Sequence, residues 1–216
     1  TGPIDAGMAA LAILIALVFA TTFVLMARVG GGYFWDFGNA LGFLAFAGIL
    51  FQMIPYPRSK AARRHEQLGY WVLAVAIVHA FWYLVGDAVV RVYLLPGAPI
   101  YMWSGLIGIL ALAMLTVFAR MPDRMRIHKR FSNFRMTHRI LGFIVVASAS
   151  LHILLSGFYL ATWPERGMLF LITLAACFGR QYWMRLKQPP TASSAVYVTV
   201  GSVAVLLFVL IRNVGQ

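Results

Sequence analysis

HEQLGYWVLAVAIVH, residues 65–79, and HRILGFIVVASASLH, residues 138–152, are two copies of one fifteen-residue phrase. Both carry His first and last, Leu-Gly at the fourth and fifth positions, Val at the eighth and Ala at the twelfth. On an α-helix, fourteen steps of about 100° fall about 40° short of four full turns. The two histidines of each copy therefore share one helix face, separated by roughly 21 Å along the axis. The common Gly, Val and Ala lie on that face and keep it slim between the imidazoles.

The surrounding composition sets the environment of these helices. The chain has 216 residues, of which 62% are hydrophobic and 11% charged, with a mean hydropathy of +0.82. Seven apolar segments are expected at about 8–28, 36–54, 66–86, 101–119, 138–160, 167–185 and 195–212. Most approach the roughly 20 residues that cross a hydrocarbon core of about 30 Å. The expectation is an all-α, polytopic transmembrane bundle: a six-helix core over residues 1–186, then a linker and a seventh segment over 187–216. Residues 8–26 are followed by no small-residue cleavage pattern, so the first segment reads as a retained helix and not a signal peptide. WPERG, 163–167, reads as a tight connection, and LKQPPTASS, 186–194, as a Pro/Ser linker.

A net charge of +12 raises nucleic acid as a partner, but membrane topology explains it more economically. The connections after the second, fourth and sixth segments hold four, seven and three basic residues, fourteen of the 18 Lys and Arg. That asymmetry places the N-terminus in the cytoplasm and the C-terminus outside, the arrangement of a bacterial inner-membrane protein. The third and fifth segments then run in the same direction, and the four histidines form two levels: His65 with His138 near the inner face, His79 with His152 near the outer face.

Ionisable side chains inside membrane helices are rare and usually functional. One such histidine alone would be read as a hydrogen-bonded interface residue; four at one spacing on two parallel helices are harder to dismiss. Zinc requires three or four protein ligands, and each level offers two imidazoles, with Glu66 the only carboxylate nearby. The single cysteine, Cys177, excludes thiolate-rich sites within the chain and reads as a small buried hydrophobe. Two trans imidazoles suit a six-coordinate haem iron, whose porphyrin supplies the other four donors. Two b-type haems held by His65/His138 and His79/His152 are therefore expected. Closing both axial positions favours electron transfer over oxygen binding. Haem propionates would seek Arg63, Arg64 and Arg139 inside and Arg91 outside. His128 reads as solvent-facing. Trp82, Tyr83, Tyr101 and Trp103 read as an aromatic belt, with an electron-exit or quinone site as the sharper alternative. Gly69 and Gly142 mark either close helix packing or room for a porphyrin.

On these residues the chain resembles the ferric reductase-like transmembrane superfamily, which includes ferric reductases, NADPH oxidases and the haem-binding membrane subunit of the periplasmic methionine sulfoxide reductase system. The resemblance rests on the two His-x13-His pairs, on RRHEQLG with Arg63 and Arg64 ahead of the third segment, and on the basic, aromatic KRFSNFRMTHR ahead of the fifth. It spans roughly residues 8–186. It implies electron flow from a cytoplasmic flavin through two haems to an outside acceptor. In the fused reductases and oxidases, a flavin and nicotinamide dehydrogenase domain follows the sixth helix; here another membrane segment follows. Electrons would then come from a separate flavoprotein, a bound FMN or FAD, or a quinol, and leave to an external reductase or a larger redox complex. The methionine sulfoxide subunit resembles this arrangement but lacks the first His of its third helix, so His65 argues for two complete sites. Two other functions remain open: a stand-alone ferric, metal or oxygen reductase, and a structural subunit of a membrane assembly. The seventh segment has no counterpart in the resemblance and is expected to dock a partner or a second copy.

Overall fold

The computed structural model describes residues 6–25, 30–54, 61–121, 129–179 and 192–214. Among the described residues the chain is helical, without strands. The helices are α1 (Ala6–Thr21), α2 (Tyr33–Met53), α3 (Ala61–Gly86), the short α4 (Ala88–Val92), α5 (Ile100–Arg120), α6 (Phe131–Ser156), α7 (Trp163–Phe178) and α8 (Ser194–Asn213). Five of them, α2, α3, α5, α6 and α8, are long and apolar enough to cross a membrane. With the large apolar residues exposed along their outer faces, they make the chain an integral membrane protein in contact with lipid. At 16 residues each, α1 and α7 span about 24 Å.

Two boundaries differ from the sequence expectation. The α6 helix begins at Phe131 and not near 138. FSNFRMT contains neither Gly nor Pro, and its polar residues read as a loop only because apolar runs were used to mark the spans. The WPERG stretch is the first turn of α7 and not a connection. Thr162 and Glu165 form a capping box there, with Pro in the opening turn, as an N-terminal Pro and a Thr-x-x-Glu pattern favour.

The bundle is built on α2, whose apolar residues are buried on nearly every side. It packs against α3, α1, α8, α6 and α7, and the second tight hairpin is α5 with α6. The seventh segment, expected to dock a partner, is packed into this chain's own bundle against α2, α1 and α3. Its Tyr197 hydroxyl donates to the Leu44 carbonyl at 3.0 Å. A Cβ on Gly201 would lie 2.7 Å from the Leu44 side chain, so glycine permits the close crossing. The opposite side of α8, with Val203, Leu206, Leu207 and Leu210, is exposed.

At one end of the bundle, three hydrogen-bond donors converge on the fully buried Asp36 of α2. Its carboxylate accepts from the Tyr159 hydroxyl at 2.6 Å, the Asn213 amide at 2.7 Å and the Gly31 backbone N–H at 3.1 Å. Burial, then the hydrogen bond to Asp36, raises the Tyr159 phenol well above its usual range and keeps it a donor. Beside it, Arg212 donates to the Thr22 carbonyl at 2.6 Å. Its guanidinium lies 4.5–4.6 Å from the ring centres of Phe23, Tyr159 and Phe208, within cation–π range. The capping carboxylate of Glu165, also fully buried, accepts from Leu25 N–H at 3.4 Å. These contacts fasten α8 to α1, α2 and the turn before α7. Removing one acceptor strands several buried donors, each worth about 1–3 kcal/mol. Asp36→Ala is therefore expected to cost about 3 kcal/mol and Asn213→Ala about 1 kcal/mol. Thermal unfolding in detergent checks the order, and an unaltered melting temperature for Asp36→Ala would refute the role of this network.

Candidate functional site

The repeated phrase lies on α3 and α6, and the structure brings the four histidines together as two pairs. The ring centres of His65 and His138 are 6.2 Å apart with planes at 53°, and those of His79 and His152 are 6.3 Å apart with planes at 77°. Pairing at both ends of the phrase requires α3 and α6 to run parallel and in register. Yet their backbones never approach within 8 Å, Cα to Cα. The two helices face each other across a gap that the imidazoles span from both sides. Above and around the outer pair the gap widens into a cavity walled also by α2 and α5, reaching from Trp35, Tyr83 and Tyr101 down to Ile49, Leu112 and Val145. Its lining is mostly apolar. Among the described residues, no three His, Cys, Asp or Glu side chains gather closely enough to hold a metal ion by themselves.

The outer imidazoles are held by backbone. His79 Nδ1 lies 2.7 Å from the Gly38 carbonyl on α2, and His152 Nδ1 lies 2.7 Å from the Tyr101 carbonyl on α5. A carbonyl oxygen only accepts, so each Nδ1 carries the proton and each Nε2 presents a lone pair. A metal-bound histidine usually donates its other ring N–H in this way. The inner level is bordered differently. Phe134 stands one turn before His138, with ring centres 5.8 Å apart. Across the α3–α5 seam, Arg120 donates to Glu66 at 2.7 Å and lies over the Tyr70 ring at 5.7 Å.

The family model described as the ferric reductase like transmembrane component matches residues 38–149, just over half of the chain. The chain belongs to this ferric reductase-like family. At the general level that membership assigns it to transmembrane electron transfer. The match begins at Gly38 on α2 and ends at Ala149, three residues before His152, a narrower span than the 8–186 read from the sequence. No curated protein and no solved structure matches the chain.

The ferric reductase-like core places the remaining sequence candidates as follows. Arg63 and Arg64 are exposed in the first turn of α3 and Arg139 is exposed about two turns inside α6, beside His65 and His138 in the chain. Arg91 is exposed on α4, while its neighbours Val90, Tyr93 and Leu94 line the cavity. The aromatic group divides. Trp82 and Tyr83 turn inward and donate to the Phe34 and Trp35 carbonyls at 2.9 and 2.8 Å, whereas Trp103 is 41% exposed on the lipid side. Cys177 is half-buried against the core. His128 lies outside the described residues, as do Arg28, Arg58, Lys60, Arg124, Arg126, Arg180, Arg185 and Lys187. Gly69 and Gly142 meet a side-chain end of Gln52 at 3.3 Å and Met53 Sδ at 3.6 Å, and neither lies against a histidine.

Sequence reasoning missed Gly38, Gly42 and Gly105, which shape the outer pair, and it singled out Tyr101 for its ring and not for the carbonyl that holds His152. The spacing Gly38-x-x-x-Gly42 was an available signal of close helix approach. The parallel register has a direct test. In a Cys177→Ser background, cysteine pairs at 65/138 and at 79/152 are expected to join through a short bis-maleimide. They should not form a direct disulfide, which needs Cα atoms within about 7 Å. Cross-linking of 65 with 152 would contradict the register, because those levels are roughly 21 Å apart.

Proposed function

We propose that the chain is a cytochrome b subunit that holds two b-type haems, one between His65 and His138 and one between His79 and His152. The observation that carries this reading is the pair of matched imidazole gaps. Two imidazoles ligating one iron with bonds of about 2 Å place their ring centres roughly 6 Å apart, and both observed separations agree. The separated backbones of α3 and α6 would leave room for a flat macrocycle between the rings, and the apolar walls from α2 and α5 would suit its edges. A bound haem iron supplies a reversible one-electron couple at each level.

The chain's residues do the rest. The α3 and α6 helices set the two levels about 21 Å apart along the bundle, the scale of most of the hydrocarbon thickness. Each level presents two imidazoles, which would hold a haem iron from both sides and direct its chemistry to electron transfer. Arg63, Arg64 and Arg139 stand where anionic propionates of the inner level would reach the interface. Electrons would enter on the cytoplasmic side from a flavin (FMN or FAD), a flavoprotein or a quinol. They would leave to an outside acceptor, either an external reductase or a larger redox complex. The loop charges support an orientation with the N-terminus inside and the C-terminus outside, as in a bacterial inner-membrane protein.

A reduced-minus-oxidised spectrum of the purified protein, with a haem-to-protein ratio, tests the core of this reading. A ratio near two is expected; no haem rejects the proposal. His79→Ala is expected to remove the outer haem and leave much of the inner one, and loss of neither would refute the pairing. For orientation, a C-terminal alkaline phosphatase fusion is expected to be active and a C-terminal green fluorescent protein fusion dark. The reverse pattern would invert the topology.

A further inference from the structure

Two glycines stand in equivalent places against the outer imidazoles, on helices that share no sequence phrase. On α2, a Cβ at Gly42 would lie 2.7 Å from His79 Cε1, 2.9 Å from Nδ1 and 3.2 Å from Nε2. On α5, a Cβ at Gly105 would lie 2.7 Å from His152 Nδ1, 3.1 Å from Cε1 and 3.2 Å from Cγ. Each glycine sits four residues after the carbonyl that receives the ring: Gly38 then Gly42, Tyr101 then Gly105.

Helix geometry explains the offset. The carbonyl of residue i points toward the N–H of residue i+4, and side chains tilt back toward the N-terminus. A group that reaches carbonyl i from a neighbouring helix therefore passes over position i+4. Any side chain there stands in its way, and glycine alone leaves the path open. The carbonyl then serves both the helical N–H and the imidazole N–H.

We propose that Gly42 and Gly105 are positioning residues of the outer redox site. Each opens a notch through which an axial imidazole docks on the backbone of the adjacent helix. The docked Nδ1–H···O=C bond fixes the tautomer, the ring plane and the direction of Nε2. It also raises the ligand's basicity. This inference rests on the bis-histidine reading of the outer level and adds to it the part played by α2 and α5. Together the notch and carbonyl form a two-residue device, used once on each hairpin. The comparison with the phrase's own glycine is instructive: a Cβ on Gly142 would meet only Met53 Sδ at 3.6 Å and Leu115 Cδ1 at 3.9 Å, ordinary contact distances.

Gly42→Ala and Gly105→Ala would each place a methyl closer to the ring than van der Waals contact allows, so the imidazole has to shift. The expected result is a weaker hydrogen bond. The midpoint potential of the outer haem moves positive, its low-spin electron paramagnetic resonance signal changes, and its retention falls by about tenfold, the lower end of the cost of disturbing an outer-shell partner. The inner haem, roughly 21 Å away, stays unchanged in the same molecules and reports that the variant is folded. Gly142→Ala serves as the control and leaves both signals as in the parent. Redox titration with optical and paramagnetic detection reads all of these without any assay of turnover. Unchanged outer signals in both variants would overturn the proposal. So would loss of both haems together, since the glycines would then be general packing residues. The parent protein separates the two levels of inference: if it holds no haem, the haem reading itself fails, whereas a two-haem parent with insensitive variants rejects only the notches.

Discussion

Everything in the centre of this bundle depends on the fact that α3 and α6 carry matching histidines without packing on each other. In an ordinary helix bundle, two neighbouring apolar helices close until their side chains interdigitate at interaxial distances of about 8–10 Å. Here other contacts set the separation. The α2 helix holds α3, the α5 helix holds α6, and the two hairpins meet through α3 with α5 and α2 with α6. The gap is thus a consequence of which helices pair tightly. The imidazoles cross it because the fourteen-residue spacing returns each histidine to the same face.

A gap of this kind has to be defended in a low-dielectric environment, where an unmatched polar group is costly. The outer histidines meet that constraint with backbone carbonyls, so no further side-chain acceptor is buried for the purpose. The more elaborate polar cluster around Asp36, Tyr159, Arg212 and Asn213 lies at the bundle end. There it ties α8 and α1 to the first turn of α2. Asp36 lies two residues before Gly38, whose carbonyl holds His79. The same turn of α2 therefore serves as an anchor for α8 and as a wall of the outer site. This gives the last helix, which lies beyond the matched family segment, a structural connection to the centre.

Much of the fold was legible because its signals were strong and local. Apolar runs marked the long helices, and the charge asymmetry of the connections implied that α3 and α6 run parallel, as the histidine pairs now show. The helix ends were less legible where polar residues continue a helix, as at Phe131–Thr137, or where a capping box imitates a turn, as at Thr162–Glu165. The four histidines could be paired from sequence because one number, fourteen, recurs. The glycine notches could not. Gly42 precedes His79 by 37 residues (42 to 79) and Gly105 precedes His152 by 47 (105 to 152). Connections of unequal length disguise an arrangement that repeats in space. A backbone carbonyl as partner also leaves no mark in sequence, since every residue has one.

The two levels differ in construction, and the difference has a direction. At the inner level, His65 and His138 have charged, exposed neighbours: Arg64, Arg139 and the Glu66–Arg120 pair, whose side chains are 39% and 70% exposed. At the outer level each histidine is docked on a backbone carbonyl of a neighbouring helix, and α4 with Tyr93 and Leu94 covers part of the cavity. Side-chain networks at an interface can rearrange as a partner docks, whereas a ring fixed to two backbones resists displacement. On the proposed haem reading, a path from the basic face to the aromatic one would run from the pair bordered by side chains to the pair docked on backbone.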